Sequence, residues 1–234
     1  MYTFHSRVAA SDVDETSTQT LLSVVTMMQD CSILWLGREH VLRRWLDEEN
    51  AAMMLASREL ELRRRAEVGE ELTVSTWIYK VSHRMGWRNT CIFDARGRPV
   101  ATCWCLGVFV SYDDGHALEI PDDVLSSFVL EEPMEMEYGK RKIVLPDVER
   151  ETCPAVTVQH SDIDLNGHMN NAQYVRIATD LLPAGSDPRH MRIVHEGQAK
   201  LGASIVPVHC EADGVHYFTL GGPQGERYAT LEFK

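Results

Sequence analysis

The residues best suited to chemistry lie in one run, Asp162 to Tyr174, which reads DIDLNGHMNNAQY. Gly167 and the asparagines favour a tight loop that leads into a helix N-terminus. The backbone N–H groups at a helix start can stabilise an oxygen that gains negative charge, and His168 can transfer a proton near neutral pH. The alternative is an ordinary turn and helix cap with a solvated histidine, and the residues alone leave both interpretations open.

The run belongs to a repeated pattern, which indicates how it is positioned. Ser161–Asp164 (SDID) repeats Ser11–Asp14 (SDVD). Two further repeated segments follow in the same order. They pair Ala66–Gly69 with Ala199–Gly202, and Gly97–Thr102 with Gly225–Thr230. Three repeated segments in the same order predict a duplicated structural unit.

Each copy is predicted to contain a strand, a helix and then several strands. The first helix is LLSVVTMMQDCSILWLG, ending at Gly37, and the second is NNAQYVRIATDLL, stopping at Pro183. One helix against an antiparallel sheet is an α+β arrangement. The predicted strands are 58–64, 70–81, 87–94 and 99–111 in the first copy, and 191–198, 203–212, 214–220 and 226–233 in the second.

A charged segment with two prolines, 131–150, separates the copies and is typical of a linker. We therefore predict an N-terminal domain over 1–135, a linker over 136–150 and a C-terminal domain over 151–234.

Composition narrows the class of protein. The net charge of −12 disfavours nucleic acid and anionic lipid as partners. No apolar run is long enough for a membrane span, the first residues do not form a secretory signal, and the six cysteines follow no disulfide framework. We expect a cytoplasmic protein with reduced thiols. No metal-ligand spacing or cofactor motif is present, so we expect neither a metal nor a cofactor.

The pattern D-x-N-x-H-x-N-N-x-x-Y within a duplicated chain resembles the acyl–acyl-carrier-protein thioesterase family. The D-V-D opening of the first copy and the Thr76-Trp77 pair add weaker support. The resemblance implies two tandem hot-dog domains, each a long helix wrapped by an antiparallel sheet. It also implies hydrolysis of the thioester between a fatty acyl chain and the phosphopantetheine arm of acyl carrier protein.

The resemblance assigns roles to three motif residues. His168 matches the family's catalytic histidine, Asn166 its catalytic asparagine and Asp164 the aspartate that supports them. Backbone N–H groups just after His168 are expected to polarise the thioester carbonyl. Because the motif holds no serine or cysteine, we expect attack by water without a covalent intermediate.

The chain departs from the family at Gln198, which occupies the position of an expected glutamate. A carboxylate can accept a proton from water, whereas a neutral amide can only orient it. Three explanations stay open. Gln198 orients water while His168 or Asp164 performs the acid–base work, or Glu196 substitutes from the same face of an extended strand, or the protein is slow or inactive.

The first copy has Thr16 and Thr18 where Asn166 and His168 stand, so we expect it to bind the acyl chain instead of reacting. The non-functional interpretation is that the apolar residues are ordinary core and the basic residues form a solvated surface. The residues predicted to line the acyl pocket are Leu22, Val25 and Met28, with Cys31, Ile33, Met53 and Met54. The basic residues predicted to dock an acidic carrier are Arg63, Arg64 and Arg65, and Lys140, Arg141 and Lys142.

Two alternative functions follow from the same residues: an acyl-CoA thioesterase, or a non-catalytic fatty-acyl binding protein suggested by Gln198. The sequence leaves the assembly open between a monomer and a homodimer.

Overall fold

A helix of 16 residues, α1 (Leu21–Leu36), and a five-stranded antiparallel sheet form the first part of the chain in the computed structural model, which describes residues 1–234. The sheet order is β1-β3-β4-β5-β2. Two short helices, α2 (His40–Glu48) and α3 (Asp122–Ser126), complete this unit, which spans Met1–Tyr138. The strands are β1 (Tyr2–Arg7), β2 (Ala51–Leu62), β3 (Glu71–Val81), β4 (Met85–Asp94) and β5 (Pro99–Ser111).

Helix α1 forms where the apolar spacing predicts it. The Thr20 hydroxyl accepts a hydrogen bond from the Ser23 N–H at 3.1 Å and caps the helix start, and Gly37 lies at its end. Its buried side chains, including Val24, Val25 and Cys31, face β1, β3 and β4. The helix therefore lies against one face of the sheet, which we call the inner face.

The second unit, Gly139–Lys234, repeats this plan with a shorter helix, α4 (Asn171–Thr179). The sheet order is β8-β11-β10-β9-β6, with β7 also paired to β9, and α4 contacts β11. The strands are β6 (Glu151–Thr152), β7 (Val156–Thr157), β8 (His190–His195), β9 (Ser204–Ala212), β10 (Val215–Gly221) and β11 (Arg227–Phe233).

Both units share a set of backbone hydrogen bonds at corresponding positions, which confirms the predicted duplication. The loop before each helix closes in the same way, and in each unit the residue ahead of the cap binds an alanine carbonyl. In the loop, the Asp14 N–H donates to the Thr18 oxygen (3.0 Å), as the Asp164 N–H donates to the His168 oxygen (2.9 Å). Ahead of the cap, the Gln19 N–H donates to the Ala66 oxygen (2.7 Å), as the Met169 N–H donates to the Ala199 oxygen (2.9 Å).

Several elements differ from the prediction. Strand β2 begins at Ala51 instead of 58, and α2 was not predicted. Helix α4 ends at Thr179, because the N–H groups of Leu181 and Leu182 turn back three residues and tighten the chain before Pro183.

Strand β8 ends at His195 instead of 198. The N–H groups of Glu196 and Gly197 both donate to the Tyr228 oxygen, at 2.8 and 3.2 Å, which breaks the ladder. A side chain at Gly197 would meet the Arg227 carbonyl oxygen at 2.6 Å, so only glycine fits there.

Residues 131–138, which we call the strap, cover the outer face of the first sheet. The Trp77 Nε1–H donates to the Glu132 oxygen at 2.9 Å. The Asn89 Oδ1, which is fully buried, accepts from the Met134 N–H and the Tyr138 hydroxyl, each at 3.0 Å. The first unit thus extends to Tyr138, while 139–150 contain neither helix nor strand.

All six cysteines are free, and no helix combines the length and apolar character needed to cross a membrane.

Candidate active site

The Asp164–His168 loop is a tight turn built on one carboxylate. Asp164 Oδ1 accepts from the Asn166 N–H at 2.8 Å, and its backbone oxygen accepts from the Gly167 N–H at 3.0 Å. Gly167 has φ of +75°, a conformation that glycine adopts without strain. The turn fixes the directions in which the side chains of Asn166 and His168 leave the backbone.

His168 has a half-buried ring whose Nδ1 is fully buried and makes no hydrogen bond. Burying a polar atom without a partner is costly, and such atoms are rare in folded proteins. Asn166 is exposed, and its amide nitrogen lies 3.5 Å from Asp164 Oδ2. The loop therefore presents a histidine nitrogen with unused hydrogen-bonding capacity beside an oriented carboxamide.

The two N–H groups that follow His168 are already occupied. The Met169 N–H donates to the Ala199 oxygen at 2.9 Å, and the Asn170 N–H donates to the Asp162 oxygen at 2.8 Å. Of the backbone N–H groups predicted to polarise a substrate carbonyl, these two are therefore engaged within the chain. Asn171, the first residue of α4, provides the next N–H at the positive end of the helix dipole.

Asp162 holds the base of the loop from a buried position, with 6% of its surface exposed. Its Oδ2 accepts from the Gln159 N–H at 2.8 Å, and its Oδ1 lies 3.2 Å from the Arg176 guanidinium on α4. Asp162 thus ties the loop to the helix without being one of the predicted catalytic residues.

Gln198 lies beside the loop because both backbone groups of Ala199 are held in place. The Ala199 oxygen accepts from Met169, and its N–H donates to the Tyr174 hydroxyl at 2.9 Å. Tyr174 is 1% exposed, and burial raises its pKa to about 12, so the phenol stays neutral. Tyr174, the last residue of the sequence motif, is a positioning residue whose role the sequence did not reveal.

Glu196 does not occupy the position that the strand argument required. Because β8 ends at His195, Glu196 and Gln198 do not alternate along a regular strand. The Glu196 carboxylate accepts from the Thr230 hydroxyl at 2.8 Å and lies 3.9 Å from the Arg227 guanidinium. It is engaged with β11.

The corresponding loop of the first unit has the same backbone and different chemistry. The Thr16 hydroxyl lies 2.5 Å from Asp14 Oδ1 and 2.8 Å from the Thr18 hydroxyl, and the hydrogen bond from Thr16 lowers the pKa of Asp14. Neither hydroxyl can accept a proton near neutral pH. When the residues of the two loops are matched one for one, Val24 of the first unit occupies the position of Tyr174 in the second.

The predicted acyl-pocket residues on α1 differ in burial. Val25 and Met28 are buried, and Leu22 is half-buried. Ile33, at 46% exposed, lies outside the buried set.

The two basic clusters differ in how far they are engaged within the chain. Lys140, Arg141 and Lys142 are exposed. The arginines of the other cluster all contact acidic side chains of their own unit. Those pairs are Arg63 with Glu61 at 2.7 Å, Arg64 with Glu70 and with Asp94 at 3.4 Å, and Arg65 with Asp14 at 3.5 Å.

Comparisons with known proteins give two family matches. Residues 8–128 match the thioesterase-like superfamily, and residues 146–214 match the acyl-ACP thioesterase C-terminal domain. No curated protein matches the chain by sequence.

Solved structures share the fold over nearly the whole chain. An acyl-ACP thioesterase from Bacteroides thetaiotaomicron is 18% identical, with a TM-score of 0.86, covering 99% of this chain and 96% of its own. The 12:0-ACP thioesterase from Umbellularia californica is 14% identical, with a TM-score of 0.86, covering 100% and 96%. These likenesses confirm the two predicted hot-dog units.

Tyr174→Phe tests the role given to the Tyr174 hydroxyl. The variant leaves the buried Ala199 N–H without an acceptor, so we expect the free energy of unfolding to fall by about 1–3 kcal/mol. Urea denaturation measures the change, with Tyr217→Phe on β10 as the matched control. A Tyr174→Phe protein as stable as the wild type would contradict the assignment.

Proposed function

The chain belongs to the thioesterase-like superfamily, and from this membership and its site we propose that it hydrolyses fatty acyl thioesters of acyl carrier protein. The observation that carries the proposal is the buried, unpartnered Nδ1 of His168 in the Asp164–His168 loop. That loop lies within the residues that match the acyl-ACP thioesterase C-terminal domain.

The chemistry begins with water attacking the thioester carbonyl while His168 takes a proton from it. Negative charge develops on the carbonyl oxygen, and we assign its stabilisation to the Asn166 amide and the Asn171 N–H. The carbon–sulfur bond then breaks, and His168 returns its proton to the leaving phosphopantetheine sulfur. Gln198, a neutral amide, orients water and accepts no proton.

The first unit has the supporting role of binding the acyl chain. Its loop carries Thr16 and Thr18, which hydrogen bond to each other, and its α1 buries Val25 and Met28 beneath the sheet. This division assigns proton transfer to the second unit alone.

His168→Ala is the decisive test of the site. We expect kcat to fall by about 10²- to 10⁴-fold, because a general base in the reaction is lost. Steady-state hydrolysis of an acyl–carrier-protein substrate measures the effect, and Thr18→Ala, at the corresponding position of the first unit, is the matched control. Wild-type rates in His168→Ala, or an equal loss in Thr18→Ala, would exclude this site.

The alternative function is a non-catalytic acyl-binding protein, and it is motivated by Gln198 at the position of the expected glutamate. Variants at Gln198 distinguish such a binding protein from an enzyme. We expect the wild type to turn over, Gln198→Glu to raise kcat most on the acidic side of neutral, where a carboxylate still accepts a proton and an imidazole is already protonated, and Gln198→Ala to be slower than either. The pH dependence of kcat is the measurement. Tight acyl binding without turnover in the wild type would establish the binding protein instead.

The preference for carrier protein over coenzyme A is assigned to the exposed cluster at Lys140 to Lys142. We expect the double variant Lys140→Glu/Lys142→Glu to lower kcat/KM on acyl-carrier-protein by about tenfold and to leave acyl-CoA hydrolysis unchanged, because only the carrier presents a broad acidic surface. Arg44→Glu/Arg96→Glu, at two other exposed arginines, controls for net charge. Equal losses on both substrates would favour the acyl-CoA thioesterase.

A further inference from the structure

Two arginines are buried side by side on the inner face of the first sheet. Arg58 on β2 and Arg88 on β4 both lie directly opposite Cys105 on β5, so the three form one row across three strands. Arg58 is 4% exposed and Arg88 is 7% exposed. The Arg88 guanidinium lies 3.9 Å above the ring of Trp35, which places the row beneath α1.

The row has hydrogen-bond donors that the protein does not satisfy. Arg58 Nε and Arg88 Nη1 are buried without an acceptor, and the groups that act on the Arg58 guanidinium are the thiols of Cys103 and Cys105 instead of a carboxylate. A buried guanidinium ordinarily has an anionic partner. Burial lowers the pKa of Arg88 to about 10, so it is still charged at neutral pH.

The thiols beside the arginines supply only part of the missing charge. Cys103 and Cys105 share the inner face, with their sulfurs 3.5 Å apart. The hydrogen bond from Cys103, with the charges of Arg58 and Arg88, holds the pKa of Cys105 below that of an ordinary thiol. Even with Cys105 ionised, the two guanidinium groups of the row face one thiolate, and the carboxylate that acts on Arg88, that of Glu39, lies outside the row.

A trough between two glycines, filled by a methionine side chain, adjoins the row on the same face. Gly86 on β4 pairs with Gly107 on β5, one inward position, or about 7 Å, along the strands from Arg88 and Cys105. The end of the Met53 side chain fills the trough between these glycines, and a Cβ at either would lie 2.6 Å from Met53 Cε. Met53 is an unbranched side chain that can change rotamer and vacate the trough.

We propose that the trough and the arginine row form a binding site for an acyl chain that ends in a carboxylate. The apolar part of the chain displaces Met53 between the glycines, and the terminal carboxylate accepts hydrogen bonds from Arg58 and Arg88. Arginine suits this role, because its planar fork matches a carboxylate. The site deepens the proposed function by naming a substrate class: thioesters of dicarboxylic fatty acids.

The first experiment measures binding without catalysis. Isothermal calorimetry on His168→Ala compares an α,ω-dicarboxylic acid with a monocarboxylic acid of matched length. We expect the diacid to bind about 10- to 100-fold more tightly, because a charge-assisted hydrogen bond to a buried site is gained. In His168→Ala/Arg88→Met, we expect this preference to disappear while monoacid binding is retained.

Arg88→Lys and Met53→Phe keep the test decisive if Arg88→Met does not fold. Arg88→Lys retains the charge and should keep part of the preference. Met53→Phe leaves both arginines in place but fills the trough with a bulkier, stiffer ring, and should weaken the binding of both acids. Equal affinity of diacid and monoacid for folded His168→Ala would overturn the proposal, as would an unchanged preference in Arg88→Met.

A second experiment separates this site from the proposed activity. Hydrolysis of carrier-protein thioesters of the two acids is compared for the wild type and Arg88→Met, with expected loss of kcat/KM only for the carboxylate-terminated chain. If calorimetry shows the preference and neither thioester is hydrolysed, the binding site stands and the proposed function fails. If both thioesters are hydrolysed alike and calorimetry shows no preference, the function stands and the site fails.

Discussion

The candidate site depends on how the backbone of one small residue is held. Ala199 belongs to an irregular segment that follows β8, and such a segment has no ladder to position it. Its oxygen accepts a hydrogen bond from the N–H of Met169, at the end of the Asp164–His168 loop, and its N–H donates to the Tyr174 hydroxyl on α4. These two bonds join loop, helix and the Gln198 segment, so the side chains of all three are positioned together.

The two units share the backbone hydrogen bonds around the loop and differ in the side chains that the loop carries. The bond between Gln19 and Ala66 reproduces that between Met169 and Ala199, so the frame is common to both copies. In the first copy, the threonine hydroxyls of the loop satisfy each other. In the second, His168 keeps a buried nitrogen without a partner, an arrangement that costs stability and that is typical of sites which await a ligand.

Much of the fold can be predicted from the sequence, because the local pattern of apolar residues agrees with the burial in the structure. Helix α1 and strands β3 to β5 begin and end within two residues of their predicted bounds. The end of β8 was not predictable, since it depends on two amides converging on the distant Tyr228 carbonyl. For the same reason, the sequence could nominate the amides after His168 but could not reveal that other carbonyls already hold them. The pairing of Arg58 and Arg88 across Cys105 likewise depends on strand register, which leaves no mark in either strand alone.

The strap fixes where the chain can be divided into modules. A division at 135, where the sequence places the domain boundary, would separate Tyr138 from Asn89 and Met136 from the apolar cluster around Trp104. The outer face of the first sheet would then present a buried asparagine and an indole to water. A gene fusion or recombination joint that preserves the first unit therefore falls after Tyr138, beyond the strap.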